Sequence, residues 1–442
     1  MTSPKSKPRH GPRVAAKRPA GEQAAAATPA LDLAPAIEAL ELVLELDRPA
    51  DVRLSGFFRD YPKLGARDRA FIAEAVYGVL RHLRSLRALA EPATPRRLLL
   101  AWMARHGGRN LREFESLVHR NDLDWLRGLK GASLSGQPEA VRLDLPDWLH
   151  ERLAARFGAD LPELVAALNS PAPLDLRVNS IKAGREDVLA ALAQAGIPAE
   201  PTPFSRLGIR LQGKPALQKH PLFLDGSFEV QDEGSQLLGL LLAPKRGEMV
   251  CDFCAGAGGK TLMLGALMNS SGRLYAFDVS EKRLAKLKPR LARSGLSNVQ
   301  GLLIAHERDT KVKRLAGKFD RVLVDAPCSG LGTLRRNPDL KWRQSPESVA
   351  ELNAKQAAIL ASAASLVKAG GRLVYATCSL LAEENEAIVE AFLAGHPDFR
   401  LVPAGEALAA QRVPLEMGET LRLDPLRHGT DGFFAAMLER RV

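Results

Sequence analysis

The chain has 442 residues, with 46% hydrophobic, 26% charged and 5% aromatic side chains, an ordinary globular balance that excludes collagen-like, coiled-coil and wholly disordered chains. Lysine and arginine exceed aspartate and glutamate by 62 to 51, and the net charge of +11 points to an acidic partner, nucleic acid being the commonest. Four cysteines exclude a disulfide scaffold, and no apolar run approaches the roughly 18 residues of a membrane span.

At about 150 residues per domain, the length suggests about three domains. Residues 1–30 carry Lys5, Lys7, Arg9, Arg13, Lys17 and Arg18 against the single acid Glu22, with five prolines and four consecutive alanines. Such a segment cannot bury enough apolar surface to offset its ordering, so a disordered basic tail is expected, either solubilising or an electrostatic arm for RNA. Its prolines and missing apolar face argue against a transit peptide, and there is no apolar stretch for a secretory signal. Residues 31–130 read as helical. Over 68–84, Ile72, Val76, Val79, Leu80 and Leu83 share one face at the 3.6-residue period, with Arg69, Arg81 and Arg84 opposite, either simply solvated or facing RNA. Residues 131–138 are rich in Gly, Ser and Pro, and 131–145 reads as a linker. Pro146 then opens a helix over 147–157.

Residues 146–230 read as a small α+β module, with strands over 174–179 and 209–211. Its helix over 185–194 is stopped by Gly196 and Pro198. From 231 to the end, strands over 249–253, 273–278, 301–305, 321–325 and 372–377 alternate with helices, which implies a parallel sheet covered on both faces.

The first of these strands runs into Cys254, Ala255, Gly256, Ala257, Gly258, Gly259, Lys260 and Thr261, and then a helix. Glycines there let backbone amides approach a ligand. Two readings compete. A phosphate-binding loop of the form G-x-x-x-x-G-K-[ST] fails at its first glycine, which is Cys254. A nucleoside cofactor on a Rossmann-like sheet needs an acid at the end of the second strand, and Asp278 stands there, 20 residues after Gly258. A cap for the helix over 280–293 is the lesser alternative for Asp278, and with the loop before it the ribose role is favoured.

Asp325-Ala-Pro-Cys328-Ser329 and Thr377-Cys378-Ser379 each follow a strand, which places both cysteines on the ligand side of such a sheet. A lone cysteine is usually a small buried hydrophobe, as Cys251 is expected to be. A zinc site from Cys251, Cys254, Cys328 and Cys378 has one C-x-x-C pair and two distant singles, a poor spacing, and a 251/254 redox pair fits poorly because Cys254 starts the glycine loop.

These stretches resemble the RsmB-like members of the Rsm/Nop/Sun family of RNA cytosine-C5 methyltransferases. The matching residues are Leu176-Arg-Val-Asn179, 228–235, Asp252 to Thr261, Phe277-Asp278, 325–330, 336–342, 375–379, Glu383-Glu-Asn385 and Asp431-Gly-Phe-Phe434, and the likeness covers about 145–442. Ala257 stands where the family usually has proline, and Ala305 to Asp309 where Gly-Asp is usual.

The resemblance implies an α/β fold: a Rossmann-like S-adenosylmethionine-dependent methyltransferase domain, preceded by the α+β RNA-binding module and, over 31–130, an all-α NusB-like domain. It implies S-adenosylmethionine as methyl donor and RNA, small-subunit rRNA or a ribosomal-subunit precursor, as acceptor. Cys378 would be the nucleophile and Cys328 would assist proton removal, with Asp325 orienting the base and Lys260 lining the site. The loop over 254–260, Asp278, Arg283, Asp309 and Asp325 would hold the donor, with Asp309 toward the adenine. Cytosine C5 is a weak nucleophile, and a thiolate adding at C6 makes it an enamine carbon. Arg177, Asn179, Arg335, Arg336 and Lys341 are expected to contact RNA phosphates, although a solvated basic loop is an alternative for the residues after Cys328. No metal is expected, and a cytoplasmic monomer without membrane association is.

Overall fold

The computed structural model describes residues 32–442 apart from 109 and 116, so the expected tail over 1–30 lies outside the described residues. From Ala34 to Gly131 every regular element is a helix, the longest being Ala66–Arg81. Ile72, Val76, Val79, Leu80 and Leu83 are all buried in one helical core, as their spacing predicts. The helix expected over 68–84 is broken at His82, and a second helix, Leu83–Leu89, begins there.

The reason lies 60 residues away. Helix N-termini leave amides without intrahelical partners. Here Asp144 accepts hydrogen bonds from Ser85 N at 2.7 Å and Ser85 Oγ at 2.9 Å, and lies 3.3 Å from His82 Nδ1. Residues 131–145 therefore depart from the expected linker. They contain the helix Glu139–Arg142 and clamp a buried carboxylate onto the bundle.

The helices Asp147–Phe157 and Leu161–Leu168 follow, and Leu149, Leu153, Leu161 and Leu164 share a core with Leu331, Leu334, Leu380 and Leu381. They thus brace the two loops that carry Cys328 and Cys378. Next comes a four-stranded antiparallel sheet in the order β2-β3-β1-β4, from β1 (Leu174–Val178), β2 (Ala199–Pro201), β3 (Gly208–Leu211) and β4 (Phe228–Val230). Helix Arg185–Gln194 covers it through Val188 and Leu192.

The large sheet has β5 (Met249–Asp252), β6 (Arg273–Asp278), β7 (Val299–Leu303), β8 (Phe319–Asp325) and β9 (Val367–Thr377) in the parallel order β7-β6-β5-β8-β9. Their centres, such as Val322, Leu323, Val324, Leu373, Val374 and Tyr375, are buried, which suits strands covered on both faces. The sheet is mixed rather than wholly parallel. β12 (Phe433–Arg440) adds antiparallel to β9 and is flanked by β10 (Phe399–Val402) and the short β11 (Leu421–Leu423). Strand order reverses at β5, between β6 and β8, and ligands of doubly wound sheets sit beyond the carboxyl ends at that point.

Candidate active site

A cavity of about 510 Å³ opens at this switch point. The turn after β5 supplies one wall. Gly258 has φ +86°, and a Cβ there would lie 2.1 Å from Leu287 Cδ1, so only glycine fits. Gly258 shapes the loop from behind, while Cys254, Ala255, Gly256, Ala257, Gly259 and Lys260 line the cavity. Gly256 has φ +56°, a left-handed conformation that favours glycine, with open space where its Cβ would be. Ala257 keeps the loop's role without proline, its carbonyl accepting from Arg290 Nη1 at 2.7 Å.

Asp278 ends β6 and is buried. Its Oδ2 accepts from Gly256 N at 2.8 Å and its Oδ1 from Ser280 N at 2.7 Å, and Arg283 approaches to 3.1 Å. The cap of the following helix is Ser280, so Asp278 faces the glycine loop instead.

Asp325 ends β8, and Lys260 Nζ lies 2.7 Å from its Oδ2. Burial works against the lysine's charge, but the carboxylate and its hydrogen bond outweigh it and hold Lys260 above the ordinary lysine range. The ammonium also lies 5.8 Å from the ring centre of Phe433 on β12.

The two cysteines converge. Cys328, after β8, and Cys378, after β9, have their sulfurs 3.4 Å apart, and both line the cavity. The hydrogen bond to Cys378, then burial and the neighbouring charges of Cys378 and Glu384, push the Cys328 thiol well up. A pair so arranged can keep one proton on Cys328, pointed at Cys378. Cys254 is also pushed up strongly by burial, and Cys251 is fully buried in the core. Among the described residues no group of three or more side chains could hold a metal ion.

Six residues do not behave as expected. Asp309 does not line the cavity; it caps the short helix Thr310–Lys313, accepting from Lys311 N and Ala305 N, both at 2.8 Å. Ile304 and Glu307, just past β7, line the wall instead. Arg177 is buried and donates to Gln231 Oε1 and to Gly259 O at 2.6 Å, with burial lowering its pKa to about 10. Asn179 donates to Gly226 O and Ser294 O. Arg335 pairs with Asp431 at 3.1 Å, and Arg336 joins Asp431 at 2.5 Å and Asp232 at 3.0 Å. Lys341 is 1% exposed, donates to Arg81 O and Asn169 Oδ1, and is pushed down to about 7 by burial. A buried cation must be paired or hydrogen-bonded. These cations are, and with Asn179 they tie the helical bundle, the small sheet and the large sheet together.

Gln231, Lys355 and Asp252 line the cavity but were not predicted. Asp252 is the last residue of β5, a strand-end position that could have flagged it. Its Oδ2 accepts from Thr261 Oγ1 at 2.7 Å and its Oδ1 has no partner. Burial, only partly offset by that hydrogen bond, raises it to about 7.

A family model for the 16S rRNA methyltransferase RsmB/F matches residues 239–439, and one for the RsmF/B-like ferredoxin-like domain matches 145–218. The probable ribosomal RNA small subunit methyltransferase B of Synechocystis sp. is 35% identical over 431 residues, spanning 89% of this chain and 96% of its own length. The chain belongs to the RsmB/F methyltransferase family. The ribosomal RNA small subunit methyltransferase B of Sodalis glossinidius is 33% identical to this RsmB/F member over 85% of this chain and 90% of the relative. A methyltransferase homologue from Pyrococcus horikoshii, 29% identical, superposes with a TM-score of 0.60 over 70% of this RsmB/F chain and 100% of its own. The large domain is thus a Rossmann-like methyltransferase fold beside a ferredoxin-like domain. Among the described residues no helix is long and apolar enough to cross a membrane.

Proposed function

We propose that this chain methylates C5 of a cytosine in RNA, small-subunit rRNA as in its named relatives, using S-adenosylmethionine and a transient bond between Cys378 and C6. The observation that carries this reading is the cysteine pair, 3.4 Å apart at the ends of β8 and β9 and facing the cavity of the glycine loop.

The cavity suits the donor. Its volume lies in the range of small-molecule sites, Asp252 offers an unpartnered buried oxygen, and Gly256 puts no side chain on the cavity wall. Residues 254–260 would hold the donor by backbone, Asp278 by its carboxylate near the ribose, and Arg283 at the rim. When bound, S-adenosylmethionine supplies an electrophilic methyl group.

Cys378 as thiolate adds to C6 of the ring, and electron density moves to C5 and the ring oxygen. Lys260 and Asp325 flank that ring, with Asp325 accepting from its N4 amino group and fixing its orientation. Once Cys378 is a neutral thioether, its own hydrogen bond and charge no longer hold the proton on Cys328. With C5 bonded to the methyl, the pair of the broken sulfur–methyl bond staying on the donor's sulfur, Cys328 can release its proton to water and take the one on C5, and the electron pair left behind expels Cys378. The C5–C6 edge of a stacked base is out of reach, so the target is unpaired or flipped out.

The division of labour follows the same reading: residues 31–130 a NusB-like RNA-binding domain, 131–145 its attachment, 146–230 the small module and 231–442 the catalytic domain. With Arg177, Asn179, Arg335 and Lys341 buried, exposed Lys282, Lys286 and Lys288, on the helix that brings Arg283 to the cavity, are candidate cations for phosphate. Bisulfite mapping of small-subunit rRNA treated with the protein and donor tests the proposal; one protected cytosine is expected, and its absence with intact donor binding overturns it.

A further inference from the structure

Glu384 is fully buried, yet no step above uses it. It follows Cys378 by six residues, in the short turn Ala382–Glu384. Its Oε1 accepts from Ser329 N at 2.8 Å and Gln356 Nε2 at 3.0 Å, and its Oε2 accepts from Ser329 Oγ at 2.5 Å and from Ser379 Oγ. Two of these four partners are amide nitrogens, which only donate, and both meet Oε1.

The bonded residues are the neighbours of the cysteines. Ser329 follows Cys328 and Ser379 follows Cys378, and the two hydroxyls are 3.2 Å apart. Gln356 also donates to the carbonyl of Pro327, at 3.0 Å, on the other side of Cys328. The next residue, Asn385, accepts from Thr377 Oγ1 at 2.5 Å and donates to Ser379 O at 3.0 Å, on either side of Cys378. Two loops from different strands are thus fastened, before and after each sulfur, to one carboxylate and its two amide neighbours.

We infer that Glu384 is the positioning residue of the cysteine pair: its carboxylate sets the separation of the two sulfurs and keeps the proton of the pair on Cys328. The inference rests on the reading of Cys328 and Cys378 as the reacting thiols. The charged and titratable groups around the pair are Glu384 and Tyr375 beneath it, and Lys260 and Asp325 on the cavity side. Of these, Glu384 is the anion that, together with Cys378, raises Cys328. A nearby negative charge disfavours a thiolate.

The test is the pH dependence of Cys328 alkylation by iodoacetamide, read peptide by peptide in the Cys378→Ser protein without RNA. Adding Glu384→Gln, which keeps the size and removes the charge, is expected to lower the midpoint by about one pH unit. Glu384→Asp, which keeps the charge, is expected to leave it near its starting value. An unmoved midpoint with the glutamine overturns the electrostatic part, whatever RNA methylation does. Ser379→Ala in the otherwise unchanged protein removes the hydroxyl's hydrogen bonds with Glu384, Ser329 and Leu381 N but no charge, so it tests the geometric part even where the glutamine variant does not fold. It is expected to lower kcat about tenfold with KM for RNA unchanged. An unchanged kcat overturns that part. Because alkylation needs no RNA, a lost methylation reading and a lost Glu384 reading give different results.

Discussion

Lys260 Nζ lies 2.7 Å from Asp325 Oδ2, bringing the start of the helix after β5 against the end of β8 and closing the cavity between them. Each partner holds the other in place. On the proposed reaction, Asp325 also accepts from the amino group of the base and holds Lys260 beside the ring, so its loss removes the interactions that orient the base and place the ammonium where negative charge develops. Asp325→Asn is expected to lower kcat by about 10²–10³-fold while changing the dissociation constant of S-adenosylmethionine far less. Single-turnover methylation with calorimetric binding separates the two quantities, and equal losses in both would assign Asp325 to donor binding alone.

Gly258 combines a left-handed backbone with a Cβ position 2.1 Å from Leu287. Gly258→Ala must distort the loop or displace Leu287, at a cost of about 1–3 kcal/mol. A lower melting temperature and weaker donor binding are expected together. Gly256→Ala, whose Cβ would meet nothing in the protein, is expected to weaken donor binding with a smaller change in melting, since the new methyl projects into the site.

The helix Glu281–Ser294 carries Lys282, Lys286 and Lys288, all exposed, next to Arg283 at the cavity wall. Lys282→Glu with Lys286→Glu is expected to weaken RNA binding and to flatten its dependence on salt, the slope falling by about one for each phosphate no longer neutralised. Donor affinity is expected to stay as it was. RNA affinity indistinguishable from the parent at low salt would place the RNA elsewhere.

Asp252 titrates near 7 because burial disfavours its charge. Its folded pKa lies above the unfolded value, so the folded state gains from the proton. Stability from this group is therefore present at low pH and lost as pH rises from about 4 to above 7. Asp252→Asn removes that loss. It is expected to raise the melting temperature relative to the parent at pH 8, with the gap closing toward pH 4. A gap that is constant across this range would mean the carboxylate is not carrying a burial penalty.

The parts of the site that were legible in the sequence are those set by local rules. Glycines after an apolar strand, an acid at the end of the next one and cysteines at two strand ends each carry their placement with them, and the structure gathers Cys254, Lys260, Asp278, Asp325, Cys328 and Cys378 around one cavity. The basic residues failed because their partners are remote in the chain. Arg336 finds Asp431 and Asp232, 95 and 104 positions away, and Lys341 finds the carbonyl of Arg81 at 260. A cation beside a motif looks the same whether it is free or paired. Asp309 failed for the opposite reason, since its own backbone neighbours satisfy it as a helix cap. The break at His82 was equally hidden, because the carboxylate that caps the next helix comes from Asp144.

The central claim is that the sulfur of Cys378 bonds to the base and that the sulfur of Cys328 is needed to release it. The most direct test incubates the Cys328→Ala protein with S-adenosylmethionine and small-subunit rRNA, followed by denaturing electrophoresis and mass spectrometry of the shifted band. A denaturant-resistant protein–RNA adduct joined through Cys378 is predicted. No adduct, together with a Cys378→Ala protein that still methylates at the parent rate, would contradict the account.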